Sequence, residues 1–390
     1  MRILIVNYEY PPLGGGGGVA TRDIAEELAL RHEVDVLTSA GLGLAAEERR
    51  NGVNIHRAPV IGRTKRSTAS ILSMISFWPI GLMHGRRVLG GRRYDVVNSW
   101  FAVPSAPTGI GLARHLGIPH VLTMAGGDIY DPSKWYTPDK NPLLGFAVRR
   151  VLAASDAHVA VSTDLARRAR SLHGFQRHID VIPLGMPAPQ FTSVDRAALG
   201  LDPNRIYLAS VGRLVRRKNL STLIAALERL GRDDVDLLVI GDGPEKLRLK
   251  AQAEAAGLRG RVQFRGFVNE ETKFRLLHAA DVFALPSLHE AFGLVYLEAM
   301  HCGLPVVAAK PGGQEDYLDD GRTGFLVPPD DLDGLVVALR RLVDDGALRA
   351  EMSAYNRVVA NRFSVRTTAA RYESLFARVS CAPDSVLVPA

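Results

Sequence analysis

Read for the spacing of apolar positions, the chain repeats one alternation along its length. Short runs rich in aliphatic and β-branched residues predict strands at Arg2–Asn7, Glu33–Thr38, Val53–Arg57, Asp95–Asn98, His120–Thr123, His158–Val161 and Ile179–Ile182. Between several of them apolar residues recur at helical spacing, as over Thr21–Leu30 and Ala106–Leu116. The alternation restarts in the second half, with strands at Ile206–Val211, Asp236–Ile240, Val262–Arg265, Val282–Leu285, Val306–Ala309 and Gly324–Val327. Helical spacing there falls on Leu220–Leu230, Glu245–Ala255, Glu271–His278, Gly293–His301 and Leu332–Val343. Strands that alternate with helices form parallel sheets covered on both faces, so the fold class is α/β.

Between the two halves lies Pro183–Asn204, rich in Pro and Gly and poor in periodicity, as a linker is. The expected organisation is therefore a doubly wound domain over 1–185, a linker over 186–204 and a second doubly wound domain over 205–362. A last helix over 363–380 is expected to cross back to the first domain, and 381–390 to form a loose tail. A chain of 390 residues is too long for one ordinary core and suits two domains of roughly 150–200 residues. Doubly wound sheets bind ligands beyond the carboxyl ends of their strands, which points to a cleft between the two domains.

Composition narrows the classes. Hydrophobic residues make up 47% and charged residues 23%, which suits a packed chain and argues against disorder. Two cysteines, Cys302 and Cys381, rule out a disulfide framework and point to a reducing, cytoplasmic setting. The opening MRILIVNYEYPP is too short in apolar residues for a signal peptide and reads as a strand. The longest apolar candidate for a membrane span, Ala69–Met83, is interrupted by serines and Pro79. The net charge of +7 favours anionic partners and is uneven. Seven basic residues and no acid fall between Arg63 and Arg93, around an apolar stretch containing Phe77 and Trp78. Such a segment suits the inner, anionic face of a membrane, and equally a solvated helix edge.

Two loops carry candidate phosphate chemistry. PPLGGGGGVATRD sets Gly14 to Gly18 between the first strand and a helix expected to begin near Val19, where backbone N–H groups can approach an anion. It is neither a dinucleotide fingerprint nor a P-loop, and a hinge would have the same composition. SVGRLVRRKNL places Arg213 and Lys218 at the carboxyl end of a strand, where a planar fork and a point charge suit a diphosphate. A plain surface turn has the same look.

HEAFGLVYLEAMHCGLPVVA holds Glu290 and Glu298, eight residues apart. At about 100° per residue, eight steps leave two helix positions some 80° apart, so the acids do not pair on one face. With a helix starting near Gly293, Glu290 lies in the loop before it and Glu298 inside it. The N–H groups of Phe292, Gly293, Leu294 and Val295 then form an anion site between two carboxylates able to grip diols. The plainer reading makes Glu298 a surface residue and Glu290 a capping acid.

Here the sequence resembles the retaining glycosyltransferases of family 4, which have the GT-B fold. The glutamate stretch is similar to their E-x7-E motif, and VGRLVRRKNL to their phosphate turn. PPLGGGGG, VIGDGPEKLRL, FRGFV, LPSLHEAFG and GRTGFLV follow in the family's order. The resemblance implies transfer of a sugar from a nucleotide-diphosphate sugar, UDP-linked first and GDP-mannose second, to a hydroxyl of a glycan, glycolipid or small molecule. It implies retention of configuration without metal or cofactor, and no role for nucleic acid. Glu290 would contact the donor sugar, Glu298 the ribose, and Arg213 and Lys218 the leaving diphosphate. Phe267 and Val268 would frame the base, and Gly15 and Gly16 would meet a phosphate. Asp128, in TMAGGDIYD, would contact donor sugar or acceptor. Ala125 stands where many members have histidine, Asp316 where many have glutamate, and Pro183–Leu184–Gly185 replaces the usual Pro-Asn-Gly. Against this stand a sugar phosphorylase or sugar-phosphate synthase of the same fold, a non-catalytic relative, and a nicotinamide dehydrogenase. The last is disfavoured by the glycine pattern.

Overall fold

The computed structural model describes residues 1–66, 68–134, 136–187 and 194–381. Residues 382–390 of the expected tail, and 188–193 of the expected linker, lie outside the described residues. The chain forms two compact units, Met1–Pro187 with Ser364–Ala390, and Ala188–Phe363.

The first unit contains strands β1 (Arg2–Val6), β2 (Glu33–Ser39), β3 (Glu47–Arg50), β4 (Val53–Ala58), β5 (Val96–Trp100), β6 (His120–Met124), β7 (Ala157–Ala160) and β8 (Asp180–Val181). Its helices up to Pro187 are α1 (Gly16–Ala29), α2 (Ile71–Leu89), α3 (Ser105–Leu116), α4 (Pro142–Ala154) and α5 (Thr163–His173). The sheet order is β3-β4-β2-β1-β5-β6-β7-β8, parallel except for β3 against β4. The inner strands are buried on both faces, which is why they read as continuous apolar runs. Leu4, Val6, Leu37, Phe77, Val97 and Leu112 share one core cluster.

The second unit contains β9 (Ile206–Val211), α6 (Leu220–Leu230), β10 (Val235–Ile240), α7 (Lys246–Ala255), β11 (Val262–Gly266), α8 (Glu270–His278) and β12 (Val282–Leu285). It continues with α9 (Leu294–His301), β13 (Val306–Ala309), β14 (Gly324–Val327), α10 (Leu332–Asp344) and α11 (Gly346–Ala360). Its sheet is wholly parallel in the order β11-β10-β9-β12-β13-β14. In each unit the strand order reverses beside the first strand, between β1 and β5 and between β9 and β12. Such reversals open the crevices where doubly wound sheets hold ligands.

Differences from the sequence reading have local causes. Helix α1 begins at Gly16, not near Val19. Its glycine turn is set by packing: a Cβ on Gly17 would lie 2.5 Å from the Phe101 ring, and one on Gly18 3.0 Å from the Glu9 carbonyl oxygen. Strand β3 is four exposed charged residues, EERR, which an edge strand tolerates and a periodicity search misses. Helix α2 runs through Pro79. The Thr108 hydroxyl donates to the Phe77 carbonyl at 3.1 Å, tying α3 to α2 two residues before the proline.

The last helix, α12 (Val365–Ser380), belongs to the first unit. Tyr372 stacks on Trp100 at 6.0 Å and its hydroxyl lies 3.2 Å from Thr123 Oγ1. Met186 and Ser364 form an isolated parallel bridge, and Thr368 donates to the Pro183 carbonyl at 2.9 Å. Gly185 sits against this start of α12: an added Cβ would be 2.2 Å from the Ser364 carbonyl oxygen. The glycine of Pro-Leu-Gly is thus required by backbone contact. Gly185→Ala is expected to destabilise the first unit by about 1–3 kcal/mol through overpacking and to free α12 for proteolysis after Phe363. Urea unfolding and limited digestion check this, and wild-type behaviour in both would mean that α12 is not held at Gly185.

Candidate functional site

The reversal in the second unit brings together the loops after β9 and β12. After β9 the chain turns at Gly212 and passes through a short 3-10 turn, Arg216–Lys218, to Asn219, whose left-handed φ of +52° starts α6. After β12 the loop reaches Glu290 and then Gly293, whose φ of +85° starts α9. The two loops are joined by the Leu288 N–H donating to the Arg217 carbonyl at 2.8 Å. A third loop, after β13, joins them where the Gly313 N–H donates to the Glu290 carbonyl at 2.8 Å.

At this junction Lys218 Nζ lies 2.6 Å from Glu290 Oε1, with side chains 11% and 8% exposed. Burial alone would raise the Glu290 carboxyl. The charges of Lys218 and then Arg217 overcome it and hold the group down at about 2, below its ordinary 4.5. Glu290 is therefore a carboxylate at neutral pH, able to accept hydrogen bonds from hydroxyls but not to donate a proton.

Helix α9 begins beside this pair. Its first N–H groups, at Leu294 and Val295, have no carbonyl behind them within the helix and carry its positive pole. The left-handed Gly293 is pinned by Tyr317, whose hydroxyl lies 2.8 Å from the Phe292 carbonyl oxygen and 2.7 Å from that of Gly293. A side chain at Gly293 would meet the Tyr296 ring at 2.5 Å. The Tyr296 hydroxyl in turn donates to the Leu285 carbonyl at 2.8 Å, fixing α9 to the end of β12. Phe292 is buried against Tyr317, with ring centroids 5.1 Å apart.

Glu298 sits one turn further along α9 and pairs with a lysine that the sequence did not single out. Lys273 on α8 lies 2.8 Å from Glu298 Oε1 and 2.8 Å from Glu270 Oε2. Burial works against the Lys273 charge, but Glu298 and then Glu270 more than offset it and raise its pKa. Nothing in GFVNEETKFRLLH marks Lys273, because a lysine on a helix led by two acids reads as solvated. Among the other expected residues, Arg213 and Phe267 are exposed and Val268 is half-buried. Gly266, at φ +71°, turns the chain so that the Phe267 side chain is 87% exposed. Thus Arg213, Lys218, Glu290, Phe292–Val295 and Glu298 all belong to the second unit, with Lys218, Glu290 and the start of α9 meeting at its strand reversal.

Gly15, Gly16 and Asp128 belong to the first unit. The Gly15 N–H donates to Glu9 Oε2 at 3.2 Å, and α1 starts at the next residue. A Cβ added to Gly15 or Gly16 would meet nothing within 4 Å, so no internal contact demands glycine at either position. Open space there is compatible with a ligand approaching the backbone. Asp128 braces the neighbouring loops: Oδ2 accepts the Ala102 N–H at 2.7 Å, and Oδ1 those of Gly126 at 2.8 Å and Ala125 at 3.3 Å. Burial raises this carboxyl to about 6 against the opposing backbone hydrogen bonds. Its hydrogen bonds make it a positioning group for the loops after β5 and β6. Phe101 in the same junction has φ +72°, a strained setting for a large side chain that the Gly17 contact accompanies.

The family model described as Glycosyl transferases group 1 matches residues 192–359, and that described as Glycosyl transferase 4-like domain matches residues 15–185. The chain is 32% identical to the D-inositol 3-phosphate glycosyltransferase of Arthrobacter sp. (strain FB24), over 98% of this chain and 95% of that protein. It is 30% identical to the GDP-mannose-dependent alpha-(1-6)-phosphatidylinositol monomannoside mannosyltransferase of Mycolicibacterium smegmatis, over 96% and 97% respectively. In fold it matches the Anabaena HepE structure in complex with UDP-glucose, with TM-score 0.78 and 22% identity, over 97% of this chain and all of that one.

The buried pair yields a pH signature. Wild-type Glu290 contributes stability that is complete above its ordinary 4.5 and is lost as the pH falls toward about 2. Lys218→Met leaves burial dominant and pushes the carboxyl up. The variant should be less stable at neutral pH by about 3 kcal/mol, and as pH falls from ~7 to ~5 it should gain more stability than wild type, whose Glu290 is ionised throughout that range. Urea midpoints at the two pH values measure this. An unchanged midpoint at neutral pH would sink the idea that the pair is energetically coupled.

Proposed function

Because the chain belongs to the group 1 glycosyltransferases and has the GT-B fold, we propose that it transfers a sugar, with retention of configuration and without a metal, from a nucleoside-diphosphate sugar held by the second unit. UDP-sugar is the first choice of donor and GDP-mannose the second. The fold accommodates the former in the Anabaena structure, and the latter serves the Mycolicibacterium relative. The acceptor is a hydroxyl of a glycan, glycolipid or small molecule.

One observation carries the reading: a lysine–carboxylate pair and the start of α9 converge at the strand reversal of one doubly wound sheet. The leaving group is a diphosphate, so the barrier falls if positive charge is already oriented where negative charge accumulates. Arg213, Lys218 and the N–H groups of Leu294 and Val295 supply that charge from fixed backbone positions. This provision makes a divalent cation unnecessary. Glu290, an acceptor at neutral pH, holds donor-sugar hydroxyls and keeps Lys218 in place while the site is empty. Glu298 takes the ribose diol, Phe267 and Val268 flank the base, and Gly15 and Gly16 approach the donor phosphate from the first unit. Asp128 keeps the loops of the first unit in register for the acceptor.

The test is thermal-shift titration with UDP, GDP, ADP and TDP in the presence of a chelator, followed by the anomeric configuration of product by NMR. One nucleoside diphosphate should raise the melting temperature. Arg213→Ala and Glu298→Ala should each weaken that binding by roughly tenfold or more. Glu290→Ala should reduce transfer by at least about a hundredfold. No response to any nucleoside diphosphate, or full activity of Glu290→Ala, would overturn the proposal.

A further inference from the structure

Helix α2 is built inside out. Its buried positions are mostly small: Ser73, Ser76, Gly81 and Gly85, with Phe77 and Leu89. Its large apolar side chains face away from the core, with Ile75 65%, Trp78 57% and Met83 72% exposed. The small face is explained by close packing: Cβ atoms at Gly81 and Gly85 would lie 3.3 Å from Thr108 and 3.0 Å from Leu112 of α3. The large outer face is explained by nothing in the unit. Helix α4 repeats the theme, burying Gly145 and Val148 while leaving Leu143 and Phe146 exposed.

These faces border one groove of 2610 Å³ over α3, lined among others by Ile71, Ile75, Trp78, Leu143 and Phe146, all within the first unit. That volume far exceeds the roughly 300–1,000 Å³ of a small-ligand pocket, so it is a surface feature rather than a pocket for one molecule. The charge of the three helices around it has one sign. Helices α2, α3 and α4 contain Arg86, Arg87, Arg114, Arg149 and Arg150, all exposed, and no Asp or Glu. The acids in the lining lie on other elements and are engaged there: Glu9 and Asp128 accept the N–H groups of Gly15 and Ala102, Asp95 and Asp156 those of Arg2 and His120, and Asp180 pairs with Arg378. Not every cation of the basic segment faces out. Arg63 is buried with its guanidinium 4.6 Å from the Tyr8 ring centre.

We infer that the α2–α4 face docks on an anionic lipid bilayer, its tryptophan, phenylalanine and aliphatic side chains entering the headgroup boundary and its arginines meeting lipid phosphates. Exposed apolar bulk between like-signed cations is the chemistry of an interfacial helix. A second copy of the chain would bring five arginines against five, which charge opposes. No helix among the described residues is long and apolar enough to cross a membrane, so the contact is with one leaflet.

The full-length protein is floated with vesicles of phosphatidylcholine, with or without phosphatidylglycerol, without nucleotide or acceptor, so the outcome does not depend on the transferase reading. Binding is expected to the mixed vesicles only and to fall with added salt. Trp78→Ser combined with Phe146→Ser should weaken it by roughly tenfold or more. Arg149→Glu combined with Arg150→Glu should do likewise. Both variants should keep the wild-type melting temperature, since all four side chains are exposed. Absence of binding to the mixed vesicles would overturn the inference. So would undiminished binding of the apolar variant, which would mean adsorption by charge alone. Dissociation of a dimer by the same substitutions in sedimentation would also overturn it, assigning the face to a second copy.

Discussion

The second unit depends on a single close contact, the buried Lys218–Glu290 pair. Either charge alone in that position would be costly, because burial takes it out of water without its main counter-ion. Together they tie the loop after β9 to the loop after β12, across the line where the sheet reverses its order. Two further contacts complete the junction: the Gly313 N–H donates to the carbonyl of Glu290, and the Tyr317 hydroxyl locks the turn at Gly293. The start of α9 is thus oriented by the protein's own contacts.

The first unit meets the same problem with a different solution. Asp128 also sits at loops beyond strand ends, and it too is buried, but its partners are three backbone N–H groups instead of a cation. Dipoles offset burial less completely than a full charge does. One carboxyl is therefore held at about 2 and the other is raised to about 6. Glu290 remains ionised under any physiological condition. Asp128 favours its protonated form in mildly acidic surroundings, so its contribution to stability is present below its ordinary 3.8 and declines as pH rises through 6.

Short, unbroken aliphatic runs made the doubly buried strands legible, and Ile206–Val211, Val282–Leu285 and Val306–Ala309, with the half-buried edge strand Gly324–Val327, have their expected bounds. Helix α6 was equally plain, since its apolar stripe faces its own sheet. Helix α2 was obscured because its stripe is inverted, with serines and glycines inside. Helices α4 and α5 carried readable caps in Asn141–Pro142 and Ser162, but α4 turns Leu143 and Phe146 outward and α5 is largely polar, so neither offers a plain apolar stripe. At the site, the motif residues could be named from spacing, whereas Lys273 and Tyr317 could not. Their importance lies in which elements the fold lays side by side, α8 against α9 and the loop after β13 against Gly293, and that is long-range information.

The triad of Glu270, Lys273 and Glu298 has a consequence of its own. Any group that draws on the Glu298 carboxylate competes with the Lys273 ammonium for it, and a buried cation with one counter-ion would be left exposed to that competition. Here Lys273 already touches a second carboxylate at the same 2.8 Å, on its own helix and open to solvent. Glu270 is a standby counter-ion: as ligand draws on Glu298, the lysine leans toward Glu270 and the local charge stays balanced. With two carboxylates in reach, Lys273 keeps an anion beside it whatever else draws on Glu298.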